Sequence, residues 1–199
     1  MVRTYDFLLR RFQGFYGCQP SYFVKAGTSP LVFGDQHDYY GYENICFSST
    51  QDIIVAVGRA GGSKVRINNY QSALYGEKVI GSCRGDWKFE VKEENDKFLY
   101  VFIRICALVA DECGLEDIGG MDLMIYTGAV EDEFVGWKEG LYASVYAAML
   151  AVITKNKPIE SKAIHAVLKA IGAIDQEITV RPQLTSYECG SLTQHNGNV

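Results

Sequence analysis

The residues between positions 34 and 42 form the group of side chains best suited to chemistry, and they read Gly-Asp-Gln-His-Asp-Tyr-Tyr-Gly-Tyr. Carboxylates accept hydrogen bonds from sugar hydroxyls and aromatic rings cover the C–H faces of a sugar, so this segment could bind a sugar. Asp35, His37 and Asp38 are also ligand types for a metal ion, although ligands this close in sequence seldom converge on one ion. A solvated loop rich in turn-forming residues is the third interpretation. Spacing alone leaves all three open.

Standard catalytic signatures are absent from the sequence: there is no Walker A loop, nucleophile elbow, zinc-protease motif or dinucleotide-binding glycine pattern. Residues 58–64 form a glycine-rich stretch, but it lies between two predicted strands, so no helix dipole points at an anion there. We therefore predict a plain hairpin turn for this stretch. His165 is expected on the polar side of its helix and His195 lies near the end of the chain, and neither has a defined partner for catalysis.

The elements that position these residues follow an α+β pattern. A helical stripe over residues 5–16 is followed by short β-rich runs with turn residues between them, which is typical of hairpins. The second half has a largely buried helix over residues 97–110, a strand over Met121–Tyr126 and an alanine-rich helix over residues 141–153 that is apolar nearly all round. A last helix begins near Pro158 and ends at Gly172. The predicted strands of the first half cover residues 21–25, 45–48, 52–57, 64–68 and 88–91.

Composition and charge exclude several classes of protein. The 199 residues are 48% hydrophobic and carry a net charge of −5, so neither a basic nucleic-acid-binding surface nor a polybasic membrane-binding patch is expected. The longest apolar runs are shorter than the roughly 18 residues that a membrane-spanning helix needs. Six cysteines without a C-x-x-C pair favour reduced thiols, and the start of the sequence does not resemble a signal peptide. The sequence therefore predicts a soluble, cytoplasmic protein of one domain.

Residues 34–42 resemble the galactokinase signature G-R-V-N-L-I-G-E-H-T-D-Y followed by N-G-G. Segments on both sides extend the resemblance in the same order and with similar spacing, so that it covers nearly the whole chain. The matching positions are Gly34, Asp38, Tyr39 and Gly41, with Asp35 in place of the family glutamate. On the N-terminal side, residues 12–20 resemble the family pattern F-x-x-x-F-G-x-x-P. Residues 49–57 resemble the strand that follows the sugar motif in the N-acetylgalactosamine kinase branch. Residues 114–122 and 128–130 resemble the segment that precedes the family's phosphate loop.

The resemblance implies the fold and reaction of the GHMP small-molecule kinases, the family that includes galactokinase. Such kinases consist of two α+β lobes and transfer the γ-phosphate of ATP, with Mg²⁺, to the anomeric hydroxyl of galactose in the cleft between the lobes. The chain corresponds to about the first half of such a kinase, so residues 1–199 are expected to form one N-terminal lobe, with the second lobe absent. That lobe implies a mixed or antiparallel sheet with helices packed on one face. The sugar-binding positions that the resemblance implies are Asp35, Gln36, Asp38 and Tyr39.

Three functional positions of the family are replaced in this sequence. The family arginine that helps to stabilise the transferring phosphate aligns with Ser29, and a hydroxyl cannot replace a guanidinium at a developing phosphoryl charge. The family histidine of the sugar motif aligns with Gln36, which keeps hydrogen bonding but cannot be protonated. The catalytic aspartate aligns with Pro182, so no catalytic residue is assigned to this chain.

The family's phosphate loop, P-x-G-x-G-L-S-S-S-A, aligns with residues 131–140, where charged and bulky residues replace small ones. Anion binding by such a loop needs close approach of the backbone and a positive potential, and three consecutive carboxylates oppose it. Bound ATP, together with the Mg²⁺ that accompanies it in the family, is therefore not expected in this chain, and no metal ligands are assigned. The degenerate loop positions are Glu131, Asp132, Glu133, Gly136, Trp137 and Lys138.

The sequence favours a galactokinase-like protein that has lost ATP-dependent phosphotransfer and keeps a hexose pocket, as a sugar sensor or a scaffold would. The first alternative is an active galactokinase, phosphorylating galactose or N-acetylgalactosamine at C1, whose ATP-binding and second-lobe residues lie outside this chain. The second alternative is a structural partner that uses the surface covered by the second lobe in the family. Apolar surface left open on that side predicts a homodimer or another protein partner, with Trp137 near the contact.

Overall fold

The computed structural model describes residues 2–27, 31–33, 45–46, 52–69, 78–83, 86–89, 97–127, 137–172 and 187–191. Within these ranges the chain forms four α-helices, which are α1 (Val2–Tyr16), α2 (Lys97–Cys113), α3 (Trp137–Thr154) and α4 (Ser161–Gly172). The strands in the same ranges are β1 (Tyr22–Gly27), β2 (Leu31–Phe33), β3 (Ile45–Cys46), β4 (Asp52–Arg59), β5 (Lys64–Asn69), β6 (Lys78–Cys83), β7 (Asp86–Phe89), β8 (Met121–Tyr126) and β9 (Tyr187–Ser191).

Most of the strands belong to one large sheet. Seven strands form this sheet in the order β7-β6-β5-β8-β4-β1-β9, and β2 pairs with β3 in a separate ladder. Neighbouring strands of the large sheet are antiparallel except for β5 and β8, which run parallel. The sheet is therefore mixed, and the α+β class predicted from the sequence is confirmed.

The large sheet buries apolar side chains on both of its faces, because successive side chains of a strand point to opposite sides. On one face, Val24 and Val55 belong to a core shared with α2, α3 and α4. On the other face, Phe23 and Ile54 pack with Phe12 of α1 in a smaller cluster. The expected packing of helices on one face holds for α2, α3 and α4, whereas α1 covers part of the opposite face with its narrow apolar stripe.

Helix α3 is the centre of the helical layer. Every residue from 141 to 152 is at most 7% exposed, which explains why this stretch is apolar nearly all round. The ring of Phe102 on α2 meets the ring of Tyr142 edge to face, with 6.2 Å between the centroids. The helix begins at Trp137, four residues before the predicted start at 141, so its first turn includes part of the predicted phosphate loop.

The connection between β4 and β5 is not the predicted hairpin turn. Strand β8 lies between the two strands, antiparallel to β4 and parallel to β5, so the connection crosses the start of β8. The Ala60 amide donates to the Gly120 carbonyl at 3.0 Å, and the Gly120 amide donates to the Gly62 carbonyl at 2.7 Å. A Cβ atom at Gly120 would lie 2.8–2.9 Å from the carbonyl oxygens of residues 60–62, so the crossing requires glycine there. Local composition marks the turn but does not reveal the strand that is inserted between its arms.

Candidate functional site

The strands that lead to the predicted sugar segment and to the predicted phosphate loop end at the same edge of the large sheet. The register pairs Gly27 with Asp52 and Ile54 with Tyr126, so the end of β1, the start of β4 and the end of β8 share this edge. Strand β1 precedes the predicted sugar segment along the chain, and β8 precedes the predicted phosphate loop. The predicted sugar-binding residues themselves lie outside the described residues: Asp35, Gln36, Asp38 and Tyr39.

The N-terminus of α3 lies at the same end of the sheet. A Cβ atom at Gly140 would come 2.9 Å from the carbonyl oxygen of Gly27 and 3.4 Å from Cδ1 of Ile53, so the first turn of α3 touches the end of β1. Only glycine fits this contact without a shift of the backbone. The contact therefore brings the helix that follows the predicted phosphate loop next to the strand that leads to the predicted sugar segment.

The first turn of α3 contains the part of the predicted phosphate loop that the structure describes. Trp137 and Lys138 begin the helix, and the Lys138 side chain is half-buried. The backbone N–H groups at the start of a helix have no partner within the helix, and they give this end a partial positive charge. The other predicted loop positions lie outside the described residues: Glu131, Asp132, Glu133 and Gly136.

Glu139 is a residue of this turn that the sequence analysis did not single out. It is the acidic residue in the first turn of α3 and is only 8% exposed. The partial positive charge at the helix N-terminus stabilises a carboxylate at this position. The signal for it is a glutamate in the first helical turn, which is a common capping pattern. It was missed because the predicted helix began two residues after it.

An ion pair close to this edge lies on the other side of the sheet. The Lys25 Nζ and Asp52 Oδ2 atoms are 3.4 Å apart, and both side chains are about one-fifth exposed. Because side chains alternate along β1, Lys25 lies on the same face as Phe23, which is the face covered by α1. The pair joins β1 to β4 and contributes no charge on the side where α3 begins.

A second polar centre lies under α1, several residues away from this edge along the strands. Arg66 donates from Nε and Nη2 to the two carboxylate oxygens of Asp122 at 2.6 and 2.7 Å, and Asp122 is 1% exposed. The guanidinium lies 4.9 Å from the centroid of the Tyr16 ring, and the Tyr16 hydroxyl donates to the Leu123 carbonyl at 2.7 Å. Burial and the Asp122 charge raise the pKa of the Cys18 thiol, which disfavours a reactive thiolate. This centre holds the end of α1 on the sheet, and no sequence motif predicted it.

The described residues offer no further catalytic constellation of the standard kinds. Within the ranges given above, no group of three or more His, Cys, Asp or Glu side chains is placed to hold a metal ion. Nδ1 of His165 has no hydrogen-bond partner in the described part of the chain, so no second residue orients this imidazole through that nitrogen.

None of the described helices combines the length and the apolar character that a membrane span requires.

Comparison with known proteins reveals similarity in fold without detectable similarity in sequence. No protein-family model matches the chain, and no curated protein matches it. Among solved structures, the Methanococcus jannaschii mevalonate kinase matches 85% of this chain with 53% of its own length, a TM-score of 0.62 and 13% identity. The Lactococcus lactis galactokinase, solved with galactose, matches 88% of this chain with 42% of its own length, a TM-score of 0.63 and 14% identity.

A third solved structure extends the range of substrates named among these kinases. The D-glycero-D-manno-heptose 1-phosphate kinase of Bacteroides thetaiotaomicron matches 81% of this chain with 51% of its own length, a TM-score of 0.57 and 12% identity. At such identities the similarity shows the fold alone, which is that of the GHMP-type kinases and corresponds to their N-terminal lobe. The chain spans about half the length of the kinases it matches. The TM-scores of 0.62 and 0.63 do not distinguish mevalonate kinase from galactokinase as the nearer relative.

Proposed function

We propose that this chain is a GHMP-type kinase lobe that does not transfer phosphate and that keeps a hexose pocket, either to sense the sugar or to scaffold a partner. The observation that carries the proposal is the buried carboxylate of Glu139 in the first turn of α3. The negative charge of this side chain offsets the partial positive charge of the helix N-terminus, which would otherwise attract an anionic ligand.

The charge around the start of α3 supports the proposal. Residues 131–139 contain four carboxylates and one ammonium group, whereas the family pattern consists of small uncharged residues. At an effective dielectric constant of about 20, a carboxylate about 5 Å from a phosphate oxygen opposes its binding by about 3 kcal/mol. Phosphoryl transfer depends almost entirely on positioning and electrostatic stabilisation, and Ser29 and Pro182 supply neither the family's cation nor its carboxylate.

A second register of the phosphate-loop pattern leads to the same conclusion. Gly140, Leu141 and Ser144 match G-L-x-x-S of the pattern, five residues beyond the alignment given in the sequence analysis. In this register Tyr142 and Ala143 replace the first two serines, and both are 0% exposed. The hydroxyl of Ser144 donates to the Leu141 carbonyl at 2.8 Å. These side chains are enclosed within the helical layer, so they are not available to a phosphate.

The start of α3 supports the proposal that this chain does not bind ATP and Mg²⁺, which GHMP-type kinases use. The close approach of Gly140 to the Gly27 carbonyl leaves no room for a side chain at this point, and the negative charge of Glu139 would oppose a phosphate at the helix end. We therefore assign no step of phosphate transfer to this chain.

The hexose pocket is proposed for the segment that follows β1. Carboxylates at positions 35 and 38 would accept hydroxyl hydrogens, and the Tyr39 ring would cover an apolar face of the sugar. The galactokinase solved with galactose has the same fold, which supports a hexose as the ligand class. In residues 1–199 tested alone, this half of the cleft is open to water, so we expect a dissociation constant on the order of 1 mM. A second copy of the chain or another protein would cover the second-lobe side near Trp137.

Calorimetric titration with Mg-ATP tests the proposed loss of phosphate transfer. We expect no saturable heat at millimolar nucleotide, and a one-site isotherm for the unmodified chain would show that the proposal is wrong. Glu139→Gln keeps the shape of the side chain and removes its charge, so we expect Mg-ATP to bind this variant better than the unmodified chain. Glu116→Gln, at an exposed residue beyond α2, is the matched control and should behave as the unmodified chain does.

Chemical-shift mapping with galactose tests the hexose pocket separately. We expect the amide signals of residues 34–42 to move in a saturable way, and Asp38→Asn to weaken the effect several-fold. If galactose leaves these signals in place, the sensor role is excluded. Sedimentation over a wide concentration range tests the partner surface, because a persistent monomer contradicts a homodimer.

A further inference from the structure

A cavity of about 570 Å³ lies at the other end of α3 from the candidate functional site. It is open to solvent on one side and is lined by the last turns of α2 and α3, the start of α4 and the connection between α3 and α4. The 18 residues of α3 separate the two ends of the helix by about 25 Å at roughly 1.5 Å per residue. The cavity is therefore a different place on the molecule, and nothing in the proposed function uses it.

The floor of the cavity is apolar. Its residues are Leu150 and Ile153 of the last turns of α3, Ile159 of the connection and Ala163 of α4. Leu150 is 3% exposed, and the other three are half-buried. A cavity of several hundred Å³ with an apolar floor and a few polar groups at its edge is typical of small-molecule sites.

The rim of the cavity carries charges of both signs. Lys162 and Glu160 neutralise each other, since their Nζ and Oε2 atoms are 2.5 Å apart. Glu112 at the end of α2 and Lys157 in the connection also line the cavity. Neither has an ion-pair partner among the residues that the structure describes. One carboxylate and one ammonium group, held by different elements, thus remain above the apolar floor.

The charge of the Glu112 carboxylate also affects the pKa values of two neighbouring groups in the helical layer. Burial, and after it the Glu112 charge, raises the pKa of the Cys113 thiol, which also lines the cavity. The same two causes, followed by a smaller effect of Cys113, raise the pKa of the Tyr146 hydroxyl one helical turn below Leu150. The α2 side of the cavity is therefore its negative side.

The turn after α3 sets the opposite, positive side. Lys155 and Asn156 have φ values of 56° and 61°, a left-handed conformation that costs residues other than glycine about 1 kcal/mol each or more. The Asn156 amide donates to the Ala151 carbonyl at 2.8 Å, and the Lys157 amide donates to Thr154 Oγ1 at 3.3 Å. This arrangement is a common way for a helix to end, and it leaves Lys157 lining the cavity.

We propose that the cavity binds a small zwitterion with an aliphatic body, namely a free α-amino acid with a branched aliphatic side chain. Its carboxylate pairs with the Lys157 ammonium group, and its ammonium group pairs with the Glu112 carboxylate. Its side chain lies on Leu150, Ile153 and Ile159. The volume accommodates such a molecule together with ordered water.

Titration of the chain with L-leucine, followed by chemical shifts or calorimetry, tests the proposal. We expect a dissociation constant on the order of 1 mM. The analogue 4-methylpentanoate lacks the ammonium group and 3-methylbutylamine lacks the carboxylate, so each should bind about tenfold more weakly.

Two substitutions on the rim test the residue assignments. Lys157→Met and Glu112→Gln should each weaken leucine binding by about fivefold or more. Both residues are exposed, so the fold should tolerate the changes. The controls are Lys169→Met and Glu116→Gln, at exposed residues that do not line the cavity, and they should leave binding unchanged.

Two results overturn the proposal. One is the absence of a saturable response to leucine up to about 50 mM, well above the expected dissociation constant, in a chain that unfolds cooperatively. The other is equal binding of leucine and 4-methylpentanoate, because the ammonium group and Glu112 would then contribute nothing. Neither result bears on Mg-ATP or galactose, so this proposal and the proposed function fail independently.

Discussion

Replacing Gly140 by alanine tests the contact that joins α3 to β1. The new methyl group would lie 2.9 Å from the carbonyl oxygen of Gly27, closer than side chains normally approach. That oxygen belongs to the backbone of β1, which pairs with both β4 and β9, so it cannot move as a flexible side chain would. Overpacking of this kind costs about 1–3 kcal/mol. Alanine recovers up to about 1 kcal/mol of helix propensity, so we expect a net loss of up to about 2 kcal/mol.

Gly14→Ala is the matched control for this substitution. Gly14 also lies within a helix, and a Cβ atom there would have no neighbour within 4 Å. The same gain in helix propensity should therefore stabilise that variant by about 0.5–1 kcal/mol. The two substitutions share the propensity effect, and the difference between them isolates the steric contact with Gly27.

Thermal unfolding followed by circular dichroism measures both variants. For a chain of this length 1 kcal/mol corresponds to about 2–4 °C, so Gly140→Ala should lower the Tm by up to about 8 °C while Gly14→Ala raises it by about 1–4 °C. Equal stabilisation of both variants would refute the contact. The start of α3 would then not be held against β1, and the described basis of the candidate site would be lost.

Three further predictions concern the rest of the lobe. Gly120→Ala should unfold at lower urea concentration by about 1–3 kcal/mol because its methyl group meets three carbonyl oxygens, whereas Gly61→Ala, with no neighbour within 4 Å, should change little. Asp122→Asn should lose about 1–3 kcal/mol in the same assay, and an unchanged midpoint would show that the bidentate pair does not stabilise the fold. Burial raises the pKa of Cys106 from 9.0 to about 12, and burial and nearby Glu112 raise that of Tyr146. The folded chain therefore keeps protons that the unfolded chain loses above about pH 9, so stability should fall by up to about 1.4 kcal/mol per pH unit and group. Urea midpoints that stay constant between about pH 8 and pH 10 would contradict this.

Local periodicity was sufficient to predict the main helices and one central strand. The strand predicted over Met121–Tyr126 has those bounds, and the helix predicted from residue 97 begins there. Helix α3 was recognisable because a helix buried on all sides needs apolar residues on all sides. These features depend on residues close in sequence, which experience the same short-range forces in any fold. The roles of the sugar-binding and degenerate phosphate-loop positions, in contrast, came from resemblance, and those outside the described residues stay predictions.

Strand order and the burial of single residues depended on contacts between distant parts of the chain. Residues 58–64 have the composition of a hairpin turn, yet β8 enters between β4 and β5, because strand pairing is decided by which edges bury the most apolar surface rather than by the turn. Strand β9 was not predicted, since its pairing with β1 joins residues more than 160 positions apart. The sequence around Glu139 is typical of an exposed helix start, yet in the folded chain this residue is only 8% exposed. The local pattern of charges and apolar residues is the same whether that carboxylate is buried or exposed, so only the tertiary structure determines its burial.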